Sequence, residues 1–588
     1  MPKNKTIGLL AQISLLVILT AGLVNCGKPQ VVTPASTGTG PTAIVPTTAP
    51  TEAGTNSITV IIPEEPPSFN AVISDTGYDA LVMHMTLLGM TGIDPDGNIF
   101  PVLASELPTV DNGEVVVNDQ TKAMDVTWKM RQDVTWADGT PVNADDVLFT
   151  YEAANDPTNG FAIPGLDLVT SIDKIDDYTF VVHFSSTYPG YLTFLGGRQI
   201  VIWPKHYCKL DQGFTAWDCG RNPLSDGPYI LKEWVTGDHM IFVRNPQYFE
   251  PGKPKIDQII VRVVPDASVR ETMMRQGDAD LLMWATEQVA NDLKDASNVK
   301  ISISPTSRWV MRLFINLAAK GTTDPVATPN PFFGDVRVRQ AIRMAIDVDK
   351  ITSSVWYGYA QPVWTEFFRP PYNTCNIPRP KYDVEVAKAL LDQAGWIVGS
   401  DGIRVCKGCK YAHDGDRFQF DLLTYSEYGE PLILTQQLIG EMLNAVGIQA
   451  NLTQAEGSVI WADSASGGIE QSGNYNLDLY DDGYAGIDPS YFLRYYYSSA
   501  SAVPDQGWNV VRFENVEFDS LLEETNTLNS QDRQTAFCKM AQILDQQLPQ
   551  ILLFTTLNAE AYSTRLANIQ ANINSVVSWN VADWTIVK

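Results

Sequence analysis

Val126, Trp128 and Met130 alternate with Thr127, Lys129 and Arg131. This period of two puts apolar side chains on one face and polar ones on the other, and it predicts a half-buried strand. Asp138 and Gly139 then supply a turn. Asn143 is placed to cap a helix, with Asp145 and Asp146 close to amides that the first helical turn leaves unpaired. Upstream, the pattern predicts a strand over 58–62 that ends at Pro63, and a helix over 78–88. Downstream, strand patterns run over 178–184, 229–234, 240–244 and 256–264.

The second half changes period. Val338, Ala341, Ile342, Ala345 and Ile346 recur at helical spacing behind a capping Asp335. Ala387, Leu390, Leu391 and Ala394 repeat the pattern and stop at Gly395. Ile439, Met442, Leu443 and Val446 do so again and stop at Gly447, with a strand over 448–452 beyond. Phe537, Met540, Ala541 and Leu544 form a last stripe, ended by Pro549 and followed by an apolar strand over 551–554. Helices alternating with strands predict an α/β fold class. The stripes themselves are core positions, which need no functional reading.

A chain of 588 residues exceeds what one hydrophobic core serves, so two or three domains are expected. Lys3 and Lys5 precede an apolar run over 7–24, too short and too close to a cysteine to read as a permanent span. Residues 1–25 therefore read as a signal peptide. Leu23-Val24-Asn25-Cys26 resembles a bacterial lipobox, with Asn25 where a small residue is usual, and implies lipidation of Cys26. Residues 26–56 are rich in Pro, Thr and Gly and carry only Lys28 and Glu52 as charges. Such a segment buries too little apolar surface to offset its ordering entropy, so a flexible tether is expected.

The formal net charge of -27 excludes a nucleic-acid partner, because phosphate binding relies on clustered Lys and Arg. Export makes disulfides the expected state of the six cysteines after Cys26. Cys208 and Cys219 flank a short polar loop and are expected to pair. Cys406 and Cys409 form a CxxC beside His413; a zinc site needs about four ligands, so a small loop disulfide is favoured over a redox or metal site. Cys375 and Cys538 remain as a pair by elimination. The five histidines are scattered, and no metal or other cofactor is expected. No G-x-S-x-G, H-E-x-x-H or G-x-x-x-x-G-K-[ST] motif is present, so an exported hydrolase is the weaker class of function.

Five blocks carry a resemblance. VTWKMRQDVTWADGTPVNADDVLFTY (126–151), SDGPYILKEWVTGDHMIFVRNPQYF (225–249), PDASVRETMMRQGDADLLMW (265–284), GDVRVRQAIRMAIDVDKI (334–351) and KYDVEVAKALLDQAGW (381–396) are similar, in that order, to the peptide and nickel family 5 of extracytoplasmic solute-binding proteins. These are receptors of ABC importers. The resemblance implies an α/β, two-lobed periplasmic-binding-protein-like fold of the large class II type, with an inserted subdomain in the first lobe. Carried onto this chain, lobe I takes 57–92, the inserted subdomain 93–202, lobe I continues over 203–309, lobe II takes 310–555, and 556–588 return to lobe I. Two crossings, near 307–312 and 555–558, would form the hinge. The implied protein is a monomeric receptor and not an enzyme. It would be held at the outer face of the cell membrane and would pass its solute to permease subunits.

A cleft for oligomeric solutes needs flat apolar faces and a few fixed polar groups. Trp284, Trp356, Trp364 and Trp461 fall in loops or at strand ends by this reading and are the aromatic candidates. DLYDDGYAGIDPSYFL (478–493) resembles the family's cleft loop, with Tyr484 in place of the usual Trp and Asp488-Pro489 retained. Oligopeptide-binding members carry an Asp just before that Asp-Pro for the α-ammonium of the ligand. Here Gly486 and Ile487 occupy the region and the loop is about two residues shorter, leaving Asp481 or Asp482 as substitutes. The expected ligand is thus a peptide or other oligomeric solute, with an oligosaccharide as the alternative. A sensory lipoprotein on the same fold is a further alternative.

Overall fold

The alternating segment becomes the strand Met124–Lys129, with Val126 and Trp128 buried and Asp125 and Lys129 exposed. In the computed structural model it lies inside a four-stranded antiparallel sheet with Val115–Val117, Thr179–Phe184 and Val169–Asp176. The helix Ala144–Asn155 starts where the sequence places it. The Asn143 side chain accepts from the amide of Asp145, and the Asp146 carboxylate accepts from the amide of Asn143. Asp146 also accepts from the indole N–H of Trp136, so the cap ties the turn to the helix.

The structure describes residues 56–71, 76–156, 163–198, 200–209, 218–304, 306–484 and 486–587. The segments expected to be a signal peptide and most of a tether, Cys26 included, lie outside them. Among the described residues, no helix is long and apolar enough to cross a membrane.

Two larger sheets organise the rest. The first runs in the order Val299–Ile303, Ala559–Ser563, Leu281–Ala285, Ser57–Ile62, Gln258–Val263, His239–Arg244, Tyr229–Val235. Ser57–Ile62 lies parallel to both of its neighbours, so residues from the start, the middle and the end of the chain share one layer. The second runs Ala360–Pro362, Gln550–Thr556, Val310–Ile315, Leu477–Asp482, Gln419–Tyr425, Gln449–Ala455. Its last three strands are mutually parallel.

The predicted stripes cover one face of this second sheet. Val338, Ala341, Ile342, Ala387, Leu391, Ile439 and Leu443 are buried against Leu313, Leu422, Leu477 and Leu479. On the opposite face, Phe314 and Tyr480 pack with Phe518, Phe537 and Met540 from helices Val516–Glu524 and Ser530–Gln547. A sheet covered on both sides explains why Leu477–Tyr480 reads as an unbroken buried run and not as an alternation.

One element runs against the sequence reading. Residues 490–493 fall in the segment that resembles the family's cleft loop, but Ser490–Tyr497 is a helix that buries Phe492, Leu493 and Tyr497. These recur at i, i+1 and i+5, a single helical face that the surrounding aromatics obscure.

The sheets are joined by two short crossings. Residues 304–309 connect Val299–Ile303 to Val310–Ile315, and residues 557–558 connect Gln550–Thr556 to Ala559–Ser563. They run side by side: the Ser304 amide donates to the Asn558 carbonyl, and the Asn558 amide donates to Ser304 Oγ. The Ser307 amide donates to Thr555 Oγ1. Disulfides join Cys208 to Cys219, Cys375 to Cys538 and Cys406 to Cys409, with Cα separations of 5.7, 5.0 and 5.6 Å. The second of these ties the loop after strand Ala360–Pro362 to helix Ser530–Gln547.

Candidate functional site

The three parallel strands of the second sheet end on the same side, and each delivers an aromatic residue there. Tyr425 closes Gln419–Tyr425, and Tyr428 follows it. Trp461 follows the short helix Gly457–Ile460 behind Gln449–Ala455. Leu477–Asp482 ends with Tyr480, Asp481 and Asp482. The crevice at the carboxyl ends of parallel strands is where open α/β sheets bind ligands. Here it holds a compartment of about 700 Å³. Tyr495 and Tyr496, from helix Ser490–Tyr497, and Trp508 complete the wall, while Trp309 and Thr556 enter from the crossings.

A second compartment of about 560 Å³ shares Trp309, Tyr428 and Thr556 with the first. Its opposite wall is Trp284 to Gln288, from the end of strand Leu281–Ala285 and the start of helix Glu287–Leu293. The two compartments thus meet at the crossings, with the second sheet on one side and the first on the other.

The family model described as bacterial extracellular solute-binding proteins, family 5 Middle, matches residues 99–503. The chain belongs to this family. It is an extracellular solute-binding protein. It is 25% identical over 547 residues to the oligopeptide-binding protein AppA of Bacillus subtilis, covering 89% of this chain and 90% of that one. It is 24% identical over 472 residues to heme-binding protein A of Haemophilus influenzae, covering 76% and 77%. Among solved structures, NikZ of Campylobacter jejuni in complex with Ni(L-His) superposes with a TM-score of 0.70 at 22% identity, over 91% of this chain and 100% of that one. AppA of Bacillus subtilis in complex with a nonapeptide gives 0.66 at 22% identity, over 90% and 99%. These likenesses establish the two-lobed fold.

The wall of this solute-binding protein is fixed by its own packing. Trp461 rests between Tyr425 and Tyr480, with ring centroids 5.0 and 5.6 Å away. Tyr480 stacks on Phe314 at 4.0 Å, and its hydroxyl donates to Glu470 at 3.0 Å while accepting from the Trp508 indole at 3.3 Å. Among the described residues the Trp461 indole N–H has no partner. The pleat sends Asp481 and Asp482 to opposite faces of the sheet, where the Tyr428 hydroxyl meets Asp481 at 3.4 Å and the Tyr496 hydroxyl meets Asp482. Burial, and then the neighbouring Asp482, push the Asp481 carboxyl up to about 7. Burial also raises Asp482, against the Tyr496 hydroxyl and Arg312, which favour its charge. Arg312 itself is buried and held by Glu366, by Gln550 Oε1 at 3.1 Å and by the carbonyl of Asp482 at 2.7 Å.

Of the eight side chains singled out from sequence, four reach the compartments. Trp461, Asp481 and Asp482 line the larger and Trp284 the smaller. Trp284 has a positive φ of 51°, its amide donates to Glu560 at 3.1 Å, and its ring packs on Tyr78.

The other four are corrected by their surroundings. Trp356 is 1% exposed in the second lobe's core, its ring on Phe554 and its indole N–H donating to Thr435, because it fills the layer between helix and sheet. The Trp364 indole donates to the Ile377 carbonyl at 2.7 Å, which closes the loop that carries Cys375, and the ring lines neither compartment. Tyr484 is buried beneath the Arg369 guanidinium, 4.1 Å from its ring centroid. Asp488 accepts from the Ser490 amide and pairs with Arg533 at 2.7 Å, so it is held at the start of helix Ser490–Tyr497 instead of facing either compartment. Sequence reasoning missed Trp309, Tyr428, Tyr480, Tyr495, Tyr496 and Trp508. The available signal was the aromatic run 491–497 and the positions just after predicted parallel strands.

Proposed function

We propose that this protein captures a peptide or another oligomeric solute between its two lobes and delivers it, chemically unchanged, to a membrane permease of the ABC type. The reading includes attachment to the outer face of the membrane through a lipidated Cys26 and action as a monomer. The observation that carries it is the aromatic wall beside two adjoining strand crossings. The wall supplies area for an extended ligand, and the crossings are short enough to act as a hinge. The names of relatives that bind oligopeptides and glutathione support a peptide.

Replacement of the usual cleft-loop Asp by Gly486 and Ile487 favours a second reading, an oligosaccharide stacked on the same rings. Calorimetric titration of the purified protein with tripeptides to pentapeptides and with neutral oligosaccharides tests the reading. Binding is expected to raise Tm by mass action and to reduce the radius of gyration as the lobes close. Products recovered in place of the intact ligand would refute the receptor role.

A further inference from the structure

We propose that the first lobe holds a second small-molecule site, a cavity at His84 that takes a compact, neutral aromatic molecule carrying one N–H or O–H donor. This goes beyond the receptor reading and does not rest on it. The cavity has a volume of about 260 Å³ and shares no lining residue with either compartment of the cleft. It lies where the end of helix Tyr78–Thr86 meets the strands Thr91–Ile93 and Ile99–Pro101 and the short helical segment Val577–Asp583 near the C-terminus. Leu88, Ile93, Phe100, Phe249, Trp579 and Val581 give it an apolar wall. An apolar cavity of about 150 Å³ already admits benzene, so this larger one has room for a two-ring molecule.

His84 supplies the recognition. Its Nε2 lies 2.9 Å from the Arg198 carbonyl, which can only accept, so the proton of the neutral ring sits on Nε2 and Nδ1 keeps a lone pair. Among the described residues that Nδ1 is buried and has no partner. Burial pushes the imidazole down to about 4, so the ring is neutral at pH 7. Other polar groups of the wall are already answered. Thr91 donates to the Leu192 carbonyl, and Asn580 donates to the Asn568 carbonyl and accepts from the Trp584 indole. Lys253 lies 2.6 Å from both Glu250 and Asp583, and Arg131 pairs with Asp133 at 2.7 Å while covering the Phe249 ring. An ion therefore finds its counter-charges engaged, and a sugar or peptide carries more polar groups than the wall can satisfy. A neutral ring system with one donor gains the apolar contact and answers Nδ1.

Nitrogen-15 spectra of the whole protein labelled at histidine, recorded during titration with indole and with indene, its near-isostere without an N–H, test this. The His84 Nδ1 resonance reports on this cavity and not on the aromatic cleft. Indole is expected to move it upfield, as acceptance of a hydrogen bond does, and to saturate the change at about tenfold lower concentration than indene needs. A resonance that neither probe moves, as when water alone satisfies Nδ1, overturns the proposal. Equal affinities for indole and indene overturn it as well, since the cavity would then be an apolar space with no role for His84. Neither outcome touches the receptor reading, which rests on the cleft.

Discussion

The two lobes meet the cleft on unequal terms. The second brings the ends of three parallel strands, a helix full of tyrosines and two carboxylates, while the first brings the short stretch Trp284 to Gln288. The difference suggests a division of labour: solute settles on the second lobe and the first swings over it. The electrostatics follow the same division. Arg312 and Glu366, in the second lobe, are fully buried and brace the strand that carries Asp482, whereas Arg565 and Asp280 in the first form a pair whose Arg is 45% exposed. Arg312→Ala strands Glu366 in the core and is expected to cost about 3–5 kcal/mol in urea unfolding. Arg565→Ala is expected to cost about 1 kcal/mol or less. Equal costs would dissolve the contrast.

Each lobe also buries a carboxyl that burial holds near neutrality. In the second, burial raises Asp478 to about 7 against the Leu479 amide that favours its charge, beside a Glu470 that burial and then Asp478 also raise. In the first, burial raises Glu560 to about 8 against the Trp284 amide that favours its charge. A carboxyl that holds its proton more tightly folded than unfolded stabilises below its unfolded value near 4 and loses that stability as pH rises through its folded value. Stability is therefore expected to fall by a few kcal/mol between pH 4 and 8. Asp478→Asn should remove the part lost between about pH 4 and 7, and Glu560→Gln the part lost between about pH 4 and 8. A denaturation midpoint flat across this window would contradict the assignment.

For solute affinity the asymmetry predicts a smaller but sharper effect. Trp461 is braced by Tyr425 and Tyr480 at the centre of the larger compartment, so Trp461→Ala is expected to cost about 2 kcal/mol of binding, roughly 30-fold in Kd. Trp284 lines only the smaller compartment, and Trp284→Ala is expected to cost about 1 kcal/mol. Titration of both variants with one ligand checks the order. A larger loss at Trp284 would assign capture to the first lobe.

The amphipathic helices and the strands were legible because their periodicities are local. Val338 to Ile346 and Val126 to Met130 announce their elements within a few residues. Site residues depend on what the chain places side by side at long range. Trp309 and Thr556 lie 247 positions apart and meet only because the two crossings run together. Trp356 and Trp461 look alike in sequence; one fills a gap between layers and the other follows the end of a parallel strand. The disulfide between Cys375 and Cys538 is equally non-local.

The cleft loop gives the smallest expected effect and separates family likeness from local chemistry. Asp488 belongs to the most familiar part of the 478–493 block, so resemblance would give its substitution a binding defect. Its carboxylate is instead held by Arg533 and by the Ser490 amide at the start of helix Ser490–Tyr497. Asp488→Asn keeps an acceptor for the Ser490 amide but loses the charge opposite Arg533, which is 4% exposed. It should lower stability by about 1–3 kcal/mol while changing solute affinity less than about twofold. Asp482→Asn, six residues earlier, should do the reverse if charge in the compartment matters. A binding loss at Asp488 as large as that at Asp482 would mean that the loop, and not the strand end before it, addresses the solute.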